Sequence, residues 1–220
     1  MTISRRNIGK AIALGISSCL VHGAYAQVAP DSKPVPNPYR SVNVPADRSN
    51  VIFFFDFTCP FCAKLHEPFI AWSLTVPRTV KVTIVPVINA ADAGKLREQV
   101  IAARCFFAAQ EIGTPEQFKQ FVLAVYSNVA TGIPLNAQQG WMKAVQSSGM
   151  DIGKFGRSIT SNAHIDKIRS AGKQVLEYQL EATPSVAIGG KYVVTPDDVA
   201  GDPANFFMLV NGLTSRLLAG

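Results

Sequence analysis

The sequence predicts an α/β domain interrupted by a long helical block. Three observations carry that reading. Residues 51–55 (Val-Ile-Phe-Phe-Phe) form a continuous apolar run, as in a strand buried on both faces. A helix opening at Pro60 and a β-branched run at 80–87 follow, which makes a strand–helix–strand unit. From 90 to about 180 apolar residues recur at helical spacing, and strand character returns only after Pro184.

The first 26 residues read as a segment removed on export rather than as fold. Arg5, Arg6 and Lys10 give a positive start, an apolar run covers 11–21, and Ala24-Tyr25-Ala26 supplies small residues at the cleavage positions. The run is shorter than the roughly 20 apolar residues of a permanent membrane anchor. Ser4-Arg5-Arg6 resembles a twin-arginine export motif, and Ile16-Ser17-Ser18-Cys19 resembles a lipobox that would lipidate Cys19. The Ala24-Tyr25-Ala26 site fits the full run better, so the expected product is soluble and begins at Gln27. Removing 26 residues, three of them basic and none acidic, lowers the net charge from +6 to +3. The remaining chain has no long Lys/Arg run, so nucleic-acid binding is not indicated. Four cysteines in 220 residues are too few for a disulfide scaffold.

Residues 27–50 are rich in Pro, Asn, Ser and Asp. Pro30, Pro34, Pro36 and Pro38 deny the stretch a helix or central strand, so it reads as an exposed leader. The strand–helix–strand unit then occupies 51–90. In the helical block, 91–180, Leu96, Val100, Ala103 and Phe107 mark one helix that Gly113 can end. Thr114-Pro115-Glu116-Gln117 restarts the next, with Thr114 as cap, Pro115 in the first turn and Gln117 closing a capping box. Asn136 is the expected cap of a helix carrying Trp141, Met142 and Val145. Helical pattern continues from Ile152 towards Leu180, loosened by Gly153, Gly156 and Gly172. In the last part, 181–220, two short strands joined by Gly189-Gly190 read as a hairpin, and 203–218 as a closing helix.

Cys59-Pro60-Phe61-Cys62 carries the chemistry. It opens a helix a few residues after a strand, which puts Cys59 where unpaired backbone N–H groups and the helix dipole favour an anion. Thiolate is the reactive form in disulfide exchange, and this placement lowers a thiol pKa from about 8.5. Pro60 suits the first turn because its missing N–H has no partner there. Cys62, one turn on and more interior, can attack a mixed disulfide held on Cys59 and release the partner. The competing reading is a zinc or copper carrier, because Cys59, Cys62 and His66 share a helix face. A structural zinc site wants four ligands, however, and no second ligand cluster is evident. Cys105 falls on an apolar face with Ile101, Ala108 and Ile112 and reads as a buried thiol.

The stretch FFFDFTCPFCAKLHE at 53–67 resembles the active-site region of the periplasmic Dsb disulfide oxidoreductases. Asp56, Thr58, the cysteine pair and Lys64-Leu65-His66-Glu67 look most like the isomerase branch, DsbC. Ala182-Thr183-Pro184-Ser185 with Gly189-Gly190-Lys191-Tyr192 looks more like the oxidases of DsbA type. The resemblance implies a thioredoxin-like fold with an inserted helical subdomain. It also implies a cis bond at Thr183-Pro184, in a substrate-binding loop beside the cysteines, flanked by Pro60 and Phe61. Three departures stand out. Phe61 replaces the histidine that DsbA enzymes often carry between their cysteines. Phe53 stands where many relatives have an acid, which leaves Asp56 as the candidate proton acceptor. The N-terminal dimerisation domain of the isomerases has no room before Val51.

The resulting expectation is a monomeric periplasmic enzyme that introduces disulfides into unfolded or partly folded exported proteins. Its electrons reside in Cys59 and Cys62, so it needs no cofactor and no metal, but it does need a membrane redox partner. Isomerase or reductase action on the same clients is the alternative.

Overall fold

The computed structural model describes residues 37–219, so the expected signal, its cleavage site and Cys19 lie outside the described residues. One five-stranded sheet organises the chain. Its strands are β1 (Arg40–Ser41), β2 (Asn50–Phe55), β3 (Lys81–Pro86), β4 (Ser185–Ile188) and β5 (Tyr192–Val194), in the order β1-β5-β4-β2-β3. β2 is parallel to β3 and antiparallel to β4, and β4 is antiparallel to β5. This puts the Phe-rich run between two neighbours, and Val51 to Phe55 are all buried.

The two-residue period of β2 divides the core. Val51, Phe53 and Phe55 face α1 (Pro60–Ser73), the helical block and α7 (Pro203–Ala219). Ile52 and Phe54 face the other way, onto Val44, Val87, Val175 and Tyr178. A strand with both faces covered has no solvent side, so it shows no polar alternation.

Between β3 and β4 lie α2 (Ala93–Ile112), α3 (Pro115–Ala130), α4 (Gln138–Ser147), α5 (Ile152–Thr160) and α6 (Ile165–Glu177). The α3 cap forms as its sequence predicts. Thr114 Oγ1 accepts the Gln117 N–H at 3.2 Å, and Gln117 Oε1 accepts the Thr114 N–H at 3.0 Å. Asn136 does not cap α4: Ala137 holds that position with no side-chain bond. The entry is fixed instead by Trp141, whose indole N–H donates to the Leu135 carbonyl at 2.6 Å. The helical pattern towards Leu180 resolves into α5 and α6. Arg104, reaching across from α2, donates to the carbonyls of Ile159 and Ser161 and so satisfies the end of α5.

The end of the expected exposed leader is part of the sheet. β1 pairs antiparallel with β5, and Val42 and Val44 donate onward to Lys191 and Gly190. Arg40 donates to the carbonyls of Tyr178 and Gln179, and the Tyr39 and Tyr192 rings meet edge-on at 5.0 Å. An edge strand needs bonds on one side only, which is why a proline-rich segment can supply one. At the hairpin, Gly189 and Gly190 both have positive φ, 60° and 61°. A Cβ on Gly190 would overlap the Val44 carbonyl, so this turn needs glycine twice over.

Candidate active site

β2 ends at Phe55 and the chain turns through Asp56, Phe57 and Thr58 into α1. Asp56 shapes that turn. Its Oδ1 accepts both the N–H and the hydroxyl of Thr58 at 2.7 Å, and its carbonyl accepts the Cys59 N–H at 3.1 Å. Phe57 anchors the turn in an aromatic cluster with Phe55, Phe106, Tyr126 and Trp141.

Cys59 is the N-cap of α1, with extended backbone, and Pro60 follows in the first turn. The half-buried Cys59 Sγ accepts the N–H of Cys62 at 3.3 Å, the place a serine or aspartate oxygen usually takes. The same sulfur lies 3.0 Å from the Thr183 carbonyl, to which the thiol donates. The Cys62 thiol beside it is the main influence on Cys59 and favours its thiolate. Burial opposes this, while the Thr183 side chain and the N–H groups of Cys62 and Phe61 add to it, bringing the Cys59 pKa down to about 6. Cys62 has the opposite environment. It is fully buried, and burial first, then the Cys59 hydrogen bond and charge, push its thiol far up. One sulfur is therefore a ready thiolate and its neighbour a protected thiol.

Thr183-Pro184 is a cis peptide bond and immediately precedes β4, the neighbour of β2. Pro184 is buried and Thr183 half-buried against Cys59. Phe61 stands out from the cluster, 48% exposed, with the Lys64 ammonium 5.7 Å from its ring centre.

A family model described as Thioredoxin matches residues 45–201, about 70% of the chain. The chain belongs to the thioredoxin family. Among curated thioredoxin-family relatives it is similar to the thiol:disulfide interchange protein DsbA of Bordetella pertussis, with 25% identity over 92% of each chain. It is also similar to that of Burkholderia cepacia, with 23% identity over 84% of each. Among solved structures it resembles Pseudomonas aeruginosa DsbA, with TM-score 0.70 and 19% identity over 83% of this chain and 93% of that one. Xylella fastidiosa DsbA gives 0.66 and 21%, over 83% and 96%. These structures share its thioredoxin fold, and helices α2–α6 lie within the residues 45–201 that the family model matches.

The thioredoxin site brings together Cys59, Cys62, Pro60, Phe61, Thr183 and Pro184, all named from the sequence. Asp56 sits at its edge. His66 is drawn away from the sulfurs into the core, 2% exposed, among the rings of Phe53, Phe55 and Tyr126. Burial, opposed by Glu67, holds its pKa down to about 4. Among the described residues no three His, Cys, Asp or Glu side chains come together as a metal-holding group. Cys105 is buried in α2, where burial pushes its thiol up to about 12.

Two neighbours of the site were not legible in the sequence. Gln99, buried in α2, donates to Asp56 Oδ2 at 3.3 Å and accepts the Asn89 N–H at 2.8 Å. It ties the helical block to the redox turn. Tyr126 of α3 packs on Phe57, and burial first, then the charges of Cys62, Cys59 and Asp56, raise its phenol pKa. Only their distance across the fold brings these residues in, so no local motif marks them.

Proposed function

We infer that the chain is a thiol:disulfide oxidoreductase that introduces disulfides into exported proteins through the Cys59–Cys62 pair. The observation that carries this is the Cys59 sulfur: half-buried at a helix N-terminus, facing Thr183, with its pKa down to about 6. A sulfur that is stable as thiolate is a good leaving group, and a stabilised reduced form makes the disulfide an oxidant.

In this reading a client thiolate attacks Cys59 of the Cys59–Cys62 disulfide. The new bond joins client sulfur to Cys59, and the electron pair of the broken bond leaves on Cys62, which takes up a proton because its thiolate is disfavoured. A second client thiolate then attacks the client sulfur of the mixed disulfide. The client disulfide forms, and Cys59 departs as thiolate. Two electrons have passed from client to enzyme. Asp56 is the proposed proton acceptor for the Cys62 thiol on the return path, with Thr58 and Gln99 holding its carboxylate. The loop at Thr183-Pro184, together with Pro60 and Phe61, holds the client backbone in an extended form.

The DsbA-named relatives support substrate proteins with cysteines, a membrane partner that removes the electrons, and a periplasmic location. No helix among the described residues is long and apolar enough to cross a membrane. The enzyme acts as a soluble monomer in this reading, with export through cleavage after Ala26. The deciding experiment mixes the oxidised protein with a reduced, unfolded client. Client disulfides formed in step with enzyme reduction support the reading. Insulin reduction as the sole activity, at a potential as low as thioredoxin's, would reject it.

A further inference from the structure

β3 is the last strand of the sheet, and no strand pairs with its outer side among the described residues. The register shows which of its backbone groups face outward. The Lys81 N–H bonds the Ser49 carbonyl and the Val87 N–H bonds the Phe55 carbonyl, both at 2.8 Å. In a strand the N–H and C=O of one residue point to the same side, and the side alternates along the chain. Residues 81, 83, 85 and 87 therefore face β2. Val82, Ile84 and Pro86 face outward, offering two N–H groups and three carbonyls. Pro86 occupies an outward position, where its missing N–H breaks no bond to β2.

Lys81 and Pro86 blunt the two ends of this edge, but its middle is unguarded. The outward residues Val82 and Ile84 are apolar and only half-buried, and no bulge interrupts the six-residue register with β2. The edge opens on a cleft of about 770 Å³. Phe69, Phe107 and Phe118 line it on the Phe53 face of the sheet, beside Val82 and Ile84, while Ser170 and Gln174, with the charged Asp166 and Lys167, make the remaining wall polar. Ser73, at the far end of α1, also lines it. A 14-residue helix spans about 20 Å, so the cleft lies well away from Cys59.

We propose that the outer edge of β3 is a second binding site, which takes an extended polypeptide stretch with alternating apolar and polar side chains. Main-chain groups spaced at the strand repeat are matched by another main chain. The two unlike walls then sort the side chains of an added strand, apolar towards Phe69 and polar towards Gln174. The occupant is a client chain, held here while its cysteines meet Cys59. That last identification rests on the function proposed above; the edge chemistry does not.

The test uses a cysteine-free heptapeptide of alternating Val and Thr with a terminal Lys, so its outcome is independent of the redox pair. Titration into the reduced protein, followed by amide NMR, is expected to shift and protect the Val82 and Ile84 N–H groups. Those of Thr83 and Val85 should change far less. Ile84→Pro removes one outward N–H and no bond to β2, and should weaken binding roughly three- to tenfold. If that variant does not fold, Ser170→Trp, which fills the cleft from exposed α6 surface, should abolish binding while glutathione disulfide still reacts with Cys59 at the wild-type rate. Unshifted Val82 and Ile84 amides, shifts confined to the Thr183–Ser185 loop, or undiminished binding to Ser170→Trp would each overturn the proposal.

Discussion

The backbone N–H of Cys62 points at the Cys59 sulfur from 3.3 Å, so Cys59 caps the very helix whose first turn carries Cys62. The two sulfurs share one turn of helix and have opposite acidities.

The Cys59 thiol should titrate with a midpoint near 6, read as thiolate absorbance in the reduced protein. Its folded pKa lies below its unfolded one, so it stabilises the reduced fold. That contribution is fully present above the unfolded value of about 8.5 and is lost as pH falls through about 6. The reduced protein should therefore melt higher than the oxidised one at pH 8, and the gap should narrow by pH 5. Because the Cys62 thiol is the main cause of the low value, Cys62→Ala should move the midpoint upward. A midpoint unchanged in Cys62→Ala would contradict this assignment.

Cys62→Ala should trap client mixed disulfides on Cys59, and Cys59→Ala should trap none. With the reduced native protein, brief alkylation at pH 7 should label Cys59 alone among Cys59, Cys62 and Cys105. Labelling of Cys105 before unfolding would contradict its burial at 4% exposure. Cys105→Ala should leave disulfide formation intact.

His66 is buried and neutral, with its pKa held down to about 4 by burial. The unfolded chain takes up this proton near 6.5 and the folded one only near 4. Stability should therefore fall as pH drops across that window, by roughly 3 kcal/mol in full. His66→Phe should flatten the acid limb of a denaturant-midpoint profile. An unchanged slope between pH 6.5 and 4 would assign the loss to other groups.

Asp56→Asn keeps an oxygen for the Thr58 N–H and removes the carboxylate base. As proton acceptor, Asp56 predicts an exchange rate lower by about tenfold or more in this variant, with the Cys59 midpoint little changed. Gln99→Met, which loses both hydrogen bonds of the buried amide, should cost about 1–3 kcal/mol through the unpaired Asn89 N–H. An Asp56→Asn enzyme as fast as the parent would leave Asp56 as a turn-former only.

Gly190→Ala should destabilise the fold by about 2 kcal/mol or more, because φ of 61° is unfavourable for alanine and its Cβ overlaps the Val44 carbonyl. The same change at Gly212, whose Cβ would meet nothing within 4 Å, should be neutral or mildly stabilising. Equal melting temperatures for the two variants would contradict the close approach of the leader to the hairpin.

What the sequence by itself determined was written in short-range chemistry. A Phe-rich run without polar alternation marks a strand covered on both faces. Cys-Pro-Phe-Cys opens a helix because a cap, a proline and the first orphan N–H groups lie within four residues. Thr114 and Gln117 close a box three residues apart, and Gly189-Gly190 makes the only kind of turn two left-handed residues allow. Each of these bonds joins neighbours in the chain, so the residue types suffice to read it. The tertiary structure decided what distant segments do to one another. It brings the Thr183 carbonyl to Cys59 across 124 positions and Gln99 to Asp56 across 43. It recruits Arg40 and Ser41 from a proline-rich leader as an edge strand, and it moves the cap of α4 from Asn136 to Ala137 because Trp141 binds Leu135. It also withdraws His66 from the sulfurs into an aromatic cage and, among the described residues, leaves the outer side of β3 without a paired strand. These outcomes depend on which surfaces pack, and packing is settled by the whole core rather than by any few adjacent residues.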